Sequence, residues 1–147
     1  MSVQFKQNAD LSLGLQGTDL DDGAFEIITL HYSAIQNTTG AFLVVSGPVL
    51  NRRFIVKAIT GVVDTTASNA VTATVYKAAS GTALGSGTAL HSGTFNLQGT
   101  AATNQSLTLS TTSGVVDVAA GSRIGFVISG APGAAGVGCI TVTLAPA

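Results

Sequence analysis

Asp19-Leu20-Asp21-Asp22-Gly23 is the segment that most resembles a metal site. A calcium loop of the EF-hand type needs oxygen ligands at alternate positions, a glycine at the sharp turn and a Glu at position 12. Counted from Asp19, position 12 is Leu30, which has no oxygen to offer. The segment reads instead as a solvated turn whose Asp side chains cap backbone N–H groups. His31 and His91 lie far apart in the chain, and no Gly-x-Ser-x-Gly elbow accompanies either one. A hydrolytic triad needs a base held against an activated nucleophile, so each histidine reads as a polar strand residue. Glu26, Asp64 and Asp117 could supply a carboxylate pair for acid–base work on sugars. All three fall at or near strand ends and nothing in the sequence couples them. Cys139, between Gly138 and Ile140, reads as a buried, inert thiol.

Other candidates fail on chemistry. The Gly81–Gly87 stretch lacks the Lys-Ser/Thr ending and the following helix of a phosphate loop. One cysteine excludes an internal disulfide framework and a cysteine zinc site. No cofactor is expected. Arg52-Arg53 could meet an acidic partner but reads as the start of a surface strand. Sugar recognition stacks rings on aromatic faces; Trp is absent, which leaves Tyr32 and Tyr76 as the only candidates.

Charge narrows the partners. The 147 residues are 9% charged and carry a net charge of −1. Six scattered Lys and Arg residues give no electrostatic footprint for nucleic acid. No apolar run reaches the roughly 20 residues of a membrane helix, and the start Met1-Ser2-Val3-Gln4-Phe5-Lys6 is not a signal peptide. Synthesis in a host cytoplasm is expected. With 46% hydrophobic residues the chain is nonetheless no disordered polymer.

The elements that carry these residues read as strands. Thr and Val dominate, and both fit a pleated, half-buried surface. Strand runs are read at Phe25–Ser33, Ala41–Val45, Arg53–Val63, Val71–Lys77, Thr94–Leu97, Ser106–Leu109, Arg123–Ser129 and Gly138–Leu144, and the first, third and fourth place their residues on two faces in period 2. Turn clusters separate them, and Gly47-Pro48 is expected to end the second run. In the third, Phe54, Val56, Ala58 and Thr60 are expected on one face and Ile55, Lys57 and Ile59 on the other. Ser80-Gly81-Thr82-Ala83-Leu84 recurs as Ser86-Gly87-Thr88-Ala89-Leu90, and two copies are too few for a solenoid. The expected class is all-β: an antiparallel sandwich of about eight strands, jelly roll by number, with an Ig-like order still open.

Domain organisation follows. Residues 24–147 form the sandwich and residues 1–23 an extended N-terminal arm. Leu11, Leu13 and Leu15 alternate with Ser12 and Gly14, and no helix cap is present. Val3, Phe5, Leu11, Leu13 and Leu15 are the arm residues expected to dock on a partner.

The stretch from Phe54-Ile55-Val56-Lys57-Ala58-Ile59 through Val71–Leu84 resembles small β-sandwich structural proteins of tailed bacteriophages. So does Val116-Asp117-Val118-Ala119-Ala120-Gly121-Ser122-Arg123-Ile124-Gly125-Phe126. Within that group residues 54–144 are most similar to capsid decoration, or cement, proteins. The resemblance implies a non-enzymatic homotrimer on the outer capsid surface of a virion, bound to the major capsid protein and cementing its subunits. On charge and hydropathy, neither nucleic acid nor membrane is expected among its partners. The alternative is a tail-fibre, baseplate or carbohydrate-binding module that recognises a cell surface.

Overall fold

A computed structural model of the chain describes residues 26–32, 43–130 and 136–147. The arm assigned to residues 1–23 lies outside the described residues. Ten strands occur among the described ones: β1 (Glu26–Tyr32), β2 (Leu43–Val49), β3 (Phe54–Thr65), β4 (Thr72–Ala78), β5 (Thr88–Ala89), β6 (Phe95–Asn96), β7 (Asn104–Ser106), β8 (Asp117–Val118), β9 (Arg123–Ser129) and β10 (Val137–Pro146). One 3-10 turn, Leu84–Ser86, precedes β5.

The pairing is nested and antiparallel throughout. β4 pairs with β5 and β6, β3 with β7 and β8, β2 with β9, and β1 with β10. This is one long hairpin, its returning limb interrupted twice. The hairpin then rolls up: β10 closes on β3 and β9 on β4. Two sheets result, β1-β10-β3-β7 with β8 also on β3, and β2-β9-β4-β5 with β6 also on β4. With β5/β6 and β7/β8 each counted as one broken strand, eight positions remain. The architecture is the jelly-roll sandwich.

Between the sheets the core is almost wholly apolar. Phe54, Phe95, Phe126, Ile59, Ile124, Leu90 and Leu144 are among its fully buried side chains. β4 shows why: Ala73 and Val75 point in while Thr72, Thr74 and Tyr76 point out, as period 2 demands.

Two local expectations change. Gly47-Pro48 does not end the second strand. β2 continues to Val49, with Ser46 opposite Gly125 and Val49 opposite Arg123, so Gly47 and Pro48 form a bulge. β2 is a sheet edge, where the missing N–H of proline is tolerated. A Cβ on Gly47 would lie 2.4 Å from the Ile124 carbonyl oxygen, so only glycine fits that approach. The strict alternation along β3 also fails. Val56 faces Leu144 and Ala58 faces Thr143, leaving Lys57 as the extra residue of a bulge. The bulge flips the phase, so Phe54, Val56, Ile59 and Val63 all reach the core.

Candidate interaction surface

The residues that could do chemistry are dispersed by the fold. His31 is exposed on β1, opposite Cys139 of β10. Cys139 is a half-buried free thiol rather than a fully buried one. His91 is buried, and its Nε2 accepts the Val75 N–H at 2.8 Å. Among the described residues no three His, Cys, Asp or Glu side chains cluster as metal ligands would. The Asp19–Asp22 turn and Tyr32's side chain lie outside the described residues.

The charged groups brace the fold. Arg52 pairs with Glu26 at 2.9 Å and lies 5.0 Å above the Phe54 ring. Arg53 grips Asp117 in two prongs, Nε to Oδ1 at 2.8 Å and Nη2 to Oδ2. That hydrogen bond from Arg53 holds the Asp117 carboxyl below its ordinary range. Lys77 donates to the Gly114 carbonyl at 2.7 Å and to the Asp117 carbonyl, tying β4 to the segment leading into β8. Burial pushes the Lys77 ammonium down from its usual value. Arg123 donates to the Thr82 carbonyl at 2.6 Å. Glu26 and Asp117, two of the three carboxylates read as a possible acid pair, are therefore each bound to a different arginine.

Apart from exposed Lys57 and Asp64 on β3, most of what remains on the described exterior is neutral. Across the first sheet Thr29, Thr141, Thr60 and Ser106 line up in one row on neighbouring strands. On the outer face of the second sheet, Val44, Thr74, Tyr76 and Val127 line a shallow trough of about 530 Å³. The 3-10 turn walls it, because Leu84 packs over Val127 and Ala78. This needs Gly125: a Cβ there would stand 2.6 Å from Leu84 Cδ2 and 2.4 Å from the Val45 carbonyl.

Among the described residues the large apolar side chains that stay exposed are Ile27 at 66%, Val44 at 46% and Val49 at 67%. All three sit on β1 and β2, the edges of the two sheets on the same side of the sandwich. An edge strand that shows β-branched apolar residues and no Lys lacks the usual protection of a sheet edge against pairing. Residue-type reasoning missed this surface. The signal was present in Ile27-Ile28, where adjacent apolar residues in an alternating strand must face opposite sides.

No family model matches the chain, and no curated protein matches it in sequence. Solved structures do. A chain of the cyanophage Pam1 capsid asymmetric unit is 18% identical, with a TM-score of 0.52 over 85% of this chain and 86% of that one. A chain of infectious bursal disease virus, Gx strain, is 14% identical with a TM-score of 0.47, over 86% of this chain and 32% of that one. The Pam1 likeness establishes a shared capsid-like jelly-roll fold.

Proposed function

We propose that this chain is a non-enzymatic structural protein of a virion that decorates the outside of a phage capsid and cements adjacent major capsid subunits. The observation that carries the reading is the Pam1 match. It spans nearly the whole of both chains, so a unit of this size and fold occurs as a component of a phage capsid. Exposed Ile27 on the outer face of the first sheet and Val44 and Val49 on the edge strand of the second supply apolar contacts suited to protein neighbours. The braced ion pairs leave little charge for such a contact to desolvate.

In this reading the chain acts as a homotrimer. Val3, Phe5, Leu11, Leu13 and Leu15 of the N-terminal arm dock on the capsid or on a neighbouring copy. A strand added to an open sheet edge would give both affinity and register. The full chain and a 23–147 truncation should show the same β-rich circular dichroism. Only the full chain should sediment with stripped capsids; equal sedimentation would remove the arm from the account.

The rival is a cell-surface recognition module, for which the Tyr76 trough is the natural sugar site. A glycan array separates the two. A selective signal abolished by Tyr76→Ala would favour the rival.

A further inference from the structure

β5 ends at Ala89 and β6 begins at Phe95, so the edge beside β4 is broken in its middle. On one side of the gap, Tyr76 and Lys77 pair with Ala89 and Thr88; on the other, Thr72 and Ala73 pair with Asn96 and Phe95. Val75 lies opposite the gap. Its carbonyl accepts the Leu90 N–H at 3.0 Å. Its own N–H donates to His91 Nε2 at 2.8 Å. The imidazole therefore stands where a strand carbonyl would otherwise complete the ladder.

This contact fixes the state of the ring. Nε2 must be unprotonated to accept, which places the proton on Nδ1, 3.4 Å from the Ser92 carbonyl. The backbone of His91 bridges Leu109. Flanking bonds from Ser92 N–H to the Thr108 carbonyl and from Ser110 N–H to the Leu90 carbonyl, each 3.0 Å, join the rim of one sheet to the other. His91 thus sits at the corner where the two sheets are stitched together.

We propose that His91 is a pH-sensitive latch: protonation of its ring turns the acceptor for Val75 into a donor and releases the β5–β6 edge from β4. Among the described residues nothing charged is placed to welcome an imidazolium. His91 is 6% exposed, and its ring meets Phe95 edge-on at 6.4 Å. Val75 on β4, Phe95 on β6, and Thr108 and Leu109 beyond β7 carry no ionisable group. Lys77, farther along β4, is committed to the Gly114 and Asp117 carbonyls. Burial pushes the His91 pKa below its ordinary 6.5, against the upward pull of the Ser92 and Gly93 backbone. A depressed histidine pKa means that the folded state prefers the neutral ring. The latch is fully closed above the ordinary value and weakens as pH falls below it.

The test is amide exchange at Val75 and Leu90 in the full chain, corrected for intrinsic rates, from about pH 7.5 to about pH 5. Protection in the wild type should fall roughly two- to tenfold, the scale of one net hydrogen bond. His31→Gln, altering the exposed histidine, should behave as the wild type. His91→Gln retains an oxygen that can accept from Val75 but does not titrate, and its protection should stay flat. An equal fall in His91→Gln would overturn the latch. Should that variant not fold, nitrogen-15 spectra of the wild-type rings decide. An Nδ1–H tautomer titrating below an ordinary histidine supports the proposal, and a protonated Nε2 at neutral pH refutes it.

Discussion

Leu84 and Leu90 end identical pentapeptides, yet their surroundings differ. Leu84 packs with Ala78, Val127 and Tyr76 on the outer face of a sheet. Leu90 is 0% exposed in the main core. Truncation should therefore cost about 2 kcal/mol at Leu84 and about 4 kcal/mol at Leu90, within the usual range of about 2–5 kcal/mol for Leu→Ala. Urea unfolding of the two variants measures the gap, and equal costs would contradict the assigned packing. Gly125→Ala should cost about 1–3 kcal/mol by overpacking, because its Cβ meets both Leu84 and the Val45 carbonyl. Asp117 gives a second acid-sensitive window, separate from that of His91. Its pKa is depressed by Arg53, so its contribution is present above the ordinary value of 3.8 and lost as pH falls below it. Asp117→Asn should flatten the stability curve below about pH 4 and leave the region around His91's ordinary value unchanged. Residue types alone made His91 a polar strand residue, which is near the mark. They could not reveal its partner, because Val75 lies 16 positions away and the bond depends on a gap in a distant strand.

At the scale of elements, most strands were legible, since Thr/Val alternation marks a half-buried sheet directly. Val71–Lys77 and Arg123–Ser129 correspond closely to β4 and β9. The two-residue β5 and β8 escaped because so short a run carries no period. The bulges escaped for a different reason. An extra residue at Lys57 is defined by its partner strand, β10, and not by its own neighbours. The same holds for the proposed contact residues: alternation places Ile27 and Ile28 on opposite faces, but only the sheet order identifies β1 as an edge. Replacing Ile27 and Val49 together by Lys should leave the melting temperature nearly unchanged, as both side chains lie mostly in solvent. Capsid binding should weaken by more than about tenfold, because two charges would then be buried without partners. Unchanged binding in a co-sedimentation assay would remove the β1/β2 side from the interface.

For the molecule as a whole, sparse charge and a nested hairpin fit the proposed structural role. Glu26, Arg52, Arg53, Asp117, Lys77 and Arg123 are engaged within the fold. Attachment should therefore rest on apolar and backbone contacts, which salt does not screen. Capsid affinity should change by less than about threefold between low and about 0.5 M salt; a steep decline would point to an ionic interface instead. The jelly-roll winding itself was legible only as a strand count, because strand order depends on which long-range pairs form. The most direct measurement of the proposed role is electron cryomicroscopy of purified phage virions that contain this chain. The account predicts a trimeric cluster of sandwiches on the outer shell, over junctions between major capsid subunits, with the β1/β2 side turned toward a neighbour. Its absence from the shell, or density confined to the tail, would contradict the account.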